Sequence, residues 1–340
     1  MDLSLIWAML LALAVFLYVV MDGFDLGVGI LFPAIRGAED RDLIVNTVAP
    51  VWDGNETWLI LGGGGLLAVF PLAYAVIMPA LYMPVIIMLL ALVFRGVSFE
   101  MRFRAETVWG RRAWNRGFWL GSTVAALCQG IMLGAFVQGI RVEGRAYAGG
   151  WWDWLSPFSV MTGVALVAGY GLLGACWIVW KTEGELQDQA RRLARILGYA
   201  TLGFIGAVSL AMLFLQPAFV ERWFGFPHVL VVWVVPLLVL LLARRMFRAL
   251  SEAHDGPWWR DALPFACALG LFGLSYLGLG ISLWPFAVPP SVTIWDAAAP
   301  EASQAFLLAG AVVLLPLILG YTAYAYWVFR GKVRAGEGYH

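Results

Sequence analysis

Nine apolar stretches recur along the chain, divided by short polar and charged segments. They fall at roughly 4–31, 50–70, 73–94, 117–140, 158–180, 196–216, 228–244, 262–284 and 304–328. A helix needs about 20 consecutive apolar residues to cross the hydrocarbon of a bilayer. The pattern therefore predicts an all-α polytopic membrane protein, a single transmembrane domain over 1–340 with nine transmembrane helices packed as helical bundles. The first stretch is too long for one straight crossing, so it is expected to run past the membrane or bend near Gly23, Gly27 and Gly29. Pro71 divides the second stretch from the third, and Pro157 introduces the fifth.

The polar segments carry a strong charge bias. On the side reached after the first span lie Arg36, Arg41, Arg95, Arg102, Arg104, Arg111, Arg112, Arg116, Lys181, Arg191, Arg192 and Arg195. Arg244, Arg245, Arg248, Arg260, Arg330, Lys332 and Arg334 complete a set of 19 of the 22 basic residues, leaving only Arg141, Arg145 and Arg222 opposite. Positive loops face the cytoplasm. The N-terminus is expected outside and the C-terminus inside, and adding or losing a span would scramble the partition.

Composition agrees. Hydrophobic residues make up 62% and charged residues 13% of the 340, against about 45–50% and 25% in soluble domains. Net charge is zero with dispersed basic residues, which argues against nucleic acid. Cys128, Cys176 and Cys267 sit in three different apolar stretches without metal-ligand spacing and read as core packing. The N-terminus lacks the basic start of a cleavable signal, and its apolar run leads into Asp22 and Asp25. Trp151, Trp152 and Trp154, Trp177 and Trp180, and Trp258 and Trp259 read as interfacial anchors.

Candidate chemistry lies in the acids. Val51 to Trp58 reads Val-Trp-Asp-Gly-Asn-Glu-Thr-Trp and leads into an uncharged run, Leu59 to Phe70, with Gly62 to Gly65 in a row. Asp53 and Glu56 thus stand where a helix enters hydrocarbon, and acids so placed usually serve a proton or ion path. The third span ends with Arg95 and Glu100, with Arg104 one turn beyond and able to pair with Glu100. The first span delivers Asp22 and Asp25, beside the close-packing pair Gly23 and Gly27. Five carboxylates from three spans are expected to converge on the cytoplasmic half, with Arg95 neutralising one or two. A carboxylate in low dielectric keeps its proton to higher pH, so such a chain can relay protons. A purely structural ion-pair network and a proton-coupled secondary transporter stand as alternatives.

Other chemistries lack residues. The three histidines, His228, His254 and His340, fall at a span start, in a loop and at the terminus, so none can pair across a bundle core to hold haem. No Walker A, dinucleotide fingerprint or HExxH sequence occurs. Catalytic and metal residues are therefore expected to be absent from this chain. The loop from Trp284 to Ala297 carries Pro285, Pro289 and Pro290, expected to be extended, and Trp295-Asp296, expected to cap the ninth helix or close a partner surface.

Several of these segments together resemble subunit II of the cytochrome bd family of quinol oxidases. They are Asp22-Gly23-Phe24-Asp25-Leu26-Gly27-Val28-Gly29, Ala49-Pro50 with Trp52-Asp53-Gly54-Asn55 and Trp58-Leu59-Ile60, and Phe94-Arg95 followed by Glu100. Pro285-Phe286 to Pro289, Trp295-Asp296-Ala297 and Tyr321-Thr322-Ala323 with Tyr326-Trp327 follow in order, while 140–260 matches only in hydropathy. The resemblance implies a heterodimer in a bacterial cytoplasmic (inner) membrane. Subunit I would carry two b-type haems and haem d, oxidise quinol outside and reduce dioxygen to water. This chain would bind no haem, support subunit I and supply a cytoplasmic proton path lined by Asp53 and Glu100, with Arg104 near its mouth. Family members usually have Asp and Lys at those last two positions. An arginine does not give up its proton, so Arg104 reads as an electrostatic gate. Short outer loops suggest the cyanide-insensitive branch. A structural quinone or lipid in this subunit and a small single-span accessory subunit stay open.

Overall fold

The computed structural model describes residues 2–252 and 258–334. The chain begins with α1 (Leu3–Leu31), α2 (Ala38–Val48), α3 (Trp52–Val69), α4 (Pro71–Ala80), α5 (Tyr82–Arg104) and α6 (Val108–Gln138). A two-stranded hairpin, β1 (Val142–Glu143) with β2 (Ala146–Tyr147), leads to α7 (Pro157–Lys181), α8 (Gly184–Met212), α9 (Pro217–Phe224), α10 (Val229–Val232), α11 (Val234–Ser251) and α12 (Trp258–Leu283). A second hairpin, β3 (Phe286–Val288) with β4 (Val292–Thr293), precedes α13 (Ile294–Ala297) and α14 (Glu301–Val328).

Eight helices among the described residues are long and apolar enough to cross a membrane: α1, α5, α6, α7, α8, the α10–α11 run, α12 and α14. The second expected stretch, 50–70, forms α3, whose 18 residues begin with two turns rich in polar side chains. The expected third stretch is divided differently from the hydropathy pattern. It becomes α4 and α5, joined at Leu81. Pro84 has no N–H to donate to the carbonyl of Ala80, which releases the helix at that point. α6 and α8 start nine and twelve residues before their apolar stretches, because their first turns continue as charged helix. α1 is one uninterrupted helix through Gly23, Gly27 and Gly29.

Those glycines serve close packing. A Cβ on Gly27 would stand 2.0 Å from the Tyr170 carbonyl oxygen, and one on Gly174 would stand 2.4 Å from the Gly27 carbonyl carbon. α1 and α7 therefore touch backbone to backbone, and α7 is buried from Gly169 to Val179. Trp177 belongs to this core and is not the interfacial anchor expected of it. Its ring stacks on Phe24 at 4.2 Å and its Nε1 donates to Thr47 Oγ1 at 3.1 Å. Trp180 is half-buried against it. Trp151 and Trp152 are exposed, as is Trp259, while the side chain of Trp258 lies outside the described residues. Cys128, Cys176 and Cys267 are free and buried.

α14 stands apart from this packing: Gln304 is its one buried residue. It is tied down near its ends. Trp7 Nε1 donates to the Gln304 carbonyl at 3.1 Å, and the Lys181 ammonium donates to the Phe329 carbonyl at 2.6 Å. The loop before it is not the extended run expected: Pro285, Pro289 and Pro290 stand in turns that fold it into the β3–β4 hairpin, and Trp295-Asp296 does not cap α14. Asp296 completes a capping box with Thr293 on the four-residue α13, and Trp295 Nε1 donates to Asp2 Oδ2 at 2.9 Å. Pro300 occupies the N-cap of α14 instead.

Candidate functional site

Arg95 is the centre of the site. It projects from α5 into the crevice against α1 and α3, 1% exposed, and its guanidinium meets three carboxylates. Nη2 donates to Asp22 Oδ1 at 3.1 Å and lies 3.9 Å from Asp25 Oδ2, while Nη1 donates to Glu56 Oε1 at 2.8 Å. The planar fork of arginine allows one side chain to serve acids from two helices at once. Trp52 lies under the guanidinium at 5.3 Å and packs on Phe99. Asp22 and Asp25 are fully buried, and Glu56 is the member that reaches towards the surface, at 29% side-chain exposure.

Asn55 extends the cluster. Its Nδ2 donates to Asp25 Oδ2 at 2.7 Å and its Oδ1 accepts the Tyr326 hydroxyl at 3.0 Å, so α14 reaches the site through one hydrogen bond. Three polar atoms in the crevice stay without partners: Asp22 Oδ2, Asp25 Oδ1 and Arg95 Nε. Buried polar atoms are nearly always satisfied, so the crevice has the polarity to hold water or a shared proton. Three buried or half-buried acids around one base cannot all ionise cheaply.

The expected convergence of five carboxylates divides in two. Asp22, Asp25 and Glu56 join Arg95. Asp53 and Glu100 are exposed instead. The helix period explains it. Glu100 follows Arg95 by five positions, about 140° around α5 at 3.6 residues per turn, so it leaves on the opposite face. Asp53 is about 60° from Glu56 on the same reckoning; it stands at the rim of the face whose inner edge Glu56 occupies. No ion pair joins Glu100 to Arg104 among the described residues, and Arg104 is exposed.

A second ionic group lies two turns along α5. Arg102 donates to Asp42 Oδ1 at 2.8 Å and to Asn115 Oδ1 at 3.1 Å, and Arg111 donates to Asp42 Oδ2 at 2.5 Å, binding α2 to α5 and α6. Sequence reasoning gave no site role to Asp42 and Arg102, or to the buried neutral polar residues Asn55, Tyr18, Gln129 and Tyr170. The signal for Asn55 was its place between Asp53 and Glu56. His228 is exposed at the N-cap of α10, and His254 and His340 lie outside the described residues. Among the described residues no group of three or more His, Cys, Asp or Glu is arranged to hold a metal ion.

The chain is similar to known proteins over nearly its whole length. The family model for cytochrome bd terminal oxidase subunit II matches residues 3–329. The chain is 29% identical over 369 residues to cytochrome bd-I ubiquinol oxidase subunit 2 of Escherichia coli K12, covering 97% of this chain and 95% of that one. It is 27% identical over 344 residues to cytochrome bd ubiquinol oxidase subunit 2 of Bacillus subtilis 168, covering 98% and 97%. In fold it is similar to a chain of the solved bd oxidase from Geobacillus thermodenitrificans, with a TM-score of 0.75, 19% identity, and coverage of 96% of this chain and 99% of that one. The chain belongs to the cytochrome bd terminal oxidase subunit II family and is a subunit of a membrane-bound oxidoreductase complex of that type.

Proposed function

We propose that this chain is the haem-free subunit II of a bd-type quinol:oxygen oxidoreductase and that it supplies protons from the cytoplasm for reduction of dioxygen to water. The observation that carries the reading is the buried cluster of Asp22, Asp25 and Glu56 on one arginine, opening to the surface at Glu56 beside Asp53. Acids so deep among apolar helices are costly and are retained for ion or proton traffic. Asp53 is the entry, Glu56 the link, and Asp25 and Asp22 the inner stations. Glu100 and Arg104, exposed on the far face of α5, collect protons or tune the local field at the mouth.

The chain crosses the membrane nine times as one transmembrane domain over 1–340, with α3 as the ninth crossing, the N-terminus outside and the C-terminus in the cytoplasm. The loop charges support this, and so does the position of the second ionic group, with Arg102 and Arg111, on the α5 side expected inside. The membrane is the bacterial cytoplasmic one. The partner is a haem-bearing subunit I with two b-type haems and haem d. The one histidine among the described residues is exposed at a helix start, which does not fit a haem held between helices. Redox chemistry is assigned to the partner. A bound lipid or quinone and a small accessory subunit are compatible with the exposed apolar helices.

The test is Asp53→Asn in the purified two-subunit complex. Oxygen consumption is expected to fall several-fold while the haem absorption spectrum stays that of the wild type. Glu100→Gln is expected to act in the same direction and more weakly, since water can bypass an exposed acid. Wild-type turnover in a fully assembled Asp53→Asn complex sinks the proton path. Failure of assembly instead of turnover favours a purely structural role for these acids.

A further inference from the structure

Beyond the acid cluster a line of neutral polar side chains runs through the middle of the bundle. Tyr170 on α7 donates its hydroxyl to Gln129 Oε1 on α6 at 2.7 Å. Gln129 Nε2 donates in turn to the Tyr18 hydroxyl on α1 at 2.7 Å. Tyr18 and Tyr170 are 5% and 0% exposed. Tyr18 stands one turn before Asp22 on α1, at the four-residue spacing that puts two side chains on one helix face. An amide oxygen only accepts and an amide nitrogen only donates, so the line has a direction. Tyr170 gives to Gln129 and Gln129 gives to Tyr18. The proton of Tyr18 is then left to point onward, and the unpartnered acceptor one turn along α1 is Asp22 Oδ2. The opposite amide orientation commits that proton to Gln129 and strands Asp22 Oδ2 in the core.

Asp25 is placed differently. Its nearest guanidinium nitrogen is 3.9 Å away, too far for a hydrogen bond, and its one donor is the neutral amide of Asn55. Its Oδ1 has no donor at all. The charged and titratable groups around the pair are Arg95 from α5, Glu56 from α3, Tyr18 on α1 itself, Tyr170 from α7 and Tyr326 from α14. Only Arg95 among them is a cation.

We infer that Tyr170, Gln129 and Tyr18 form a one-way donor chain that holds Asp22 as the fixed counter-ion of Arg95 and leaves Asp25 as the acid that carries the exchangeable proton. The three are positioning residues. They act through Asp22. The inference rests on the proton-path reading above and divides the labour within it.

The test is infrared spectroscopy of the purified oxidase complex, reading the carbonyl stretch of protonated carboxylic acids, with the haem spectrum as the check on assembly. A band is expected in the wild type and is lost in Asp25→Asn. Tyr18→Phe deprives Asp22 of its donor and is expected to add a second carboxylic-acid component, which disappears again when it is combined with Asp22→Asn. The separate variant Gln129→Met leaves the Tyr18 hydroxyl in place but removes the amide that directs it, and is expected to add a smaller second component. Tyr276→Phe is the control. That hydroxyl bonds the Ala12 carbonyl of the same helix outside the chain, and its loss should leave the band unchanged. A wild-type band that survives Asp25→Asn, or one unmoved by both Tyr18→Phe and Gln129→Met, overturns the inference. Turnover is measured in parallel. Lost turnover in Asp25→Asn without the band behaviour keeps the path and rejects the donor chain. The full band behaviour with wild-type turnover keeps the donor chain and rejects the path.

Discussion

Arg95 is the residue on which the site turns. Its removal leaves Asp22 and Asp25 buried without a cation, and Glu56 without its partner. Breaking one side of a buried pair costs about 3–5 kcal/mol. Arg95→Met is therefore expected to lower the thermal midpoint of the complex sharply or to prevent assembly. Arg95→Lys should recover part of the loss, because an ammonium keeps the charge but cannot fork between Asp22 and Glu56. Unchanged stability in Arg95→Met shows instead that the acids are already neutral in the native protein. At this scale the sequence made the charges legible. Asp22, Asp25, Glu56 and Arg95 stand out because ionised groups are rare within apolar runs. The pairing was only half legible, since Asp53 and Glu100 lie on faces fixed by rotation about each helix. Tyr18, Gln129 and Tyr170 were not legible at all. A tyrosine or glutamine in an apolar run carries no cue to its partner on another helix.

Helices α1 and α7 show how an element fixes the site. Gly27 and Gly174 let the two backbones touch, and that contact brings Tyr170 beside Gly23, one residue past Asp22. In Gly27→Ala the new methyl group meets the Tyr170 carbonyl at 2.0 Å, so the helices must separate. The expected result is a loss of about 1–3 kcal/mol from overpacking, seen as a lower thermal midpoint together with reduced turnover. Gly203→Ala on α8 is the matched control. A Cβ there meets nothing within 4 Å, and alanine is the better helix former by about 1 kcal/mol. A Gly27→Ala complex as stable and active as that control removes the close contact from the account. Helix existence was readable from hydropathy, but helix ends were not. α6 and α8 continue into charged turns where Arg111 and Arg191 find partners on other elements, and hydropathy stops before those turns begin.

Across the whole molecule, both ends of the bundle are closed by contacts between distant parts of the chain. At one end Arg191 and Lys332 share Asp261, at 2.6 and 2.7 Å, and the Val333 N–H donates to the Lys181 carbonyl at 2.9 Å. The start of α12 and the segment after α14 are thereby held to α7 and α8. At the other end Asp2 bridges the Leu5 N–H and the Trp295 indole, and the Ala299 N–H donates to the Val69 carbonyl at 2.7 Å. This second closure is pH-sensitive with a definite sign. The Trp295 indole, then the Leu5 amide, hold the Asp2 carboxyl below its ordinary value, and Thr293 does the same for Asp296. A carboxyl lowered in the folded state contributes stability above its unfolded pKa and loses it as pH falls through the folded one. Hydrogen exchange of the 284–300 loop is therefore expected to stay slow at neutral pH and to accelerate on acidification through and below the ordinary carboxylate range. In Asp2→Asn the loop should exchange faster at neutral pH and respond less to acid. Equal protection of that variant and the wild type at neutral pH defeats the clip. On the proposed orientation the loop faces the outside, so the contacts that hold α1 to α13 and α14 are expected to loosen as that side is acidified through and below the ordinary carboxylate range.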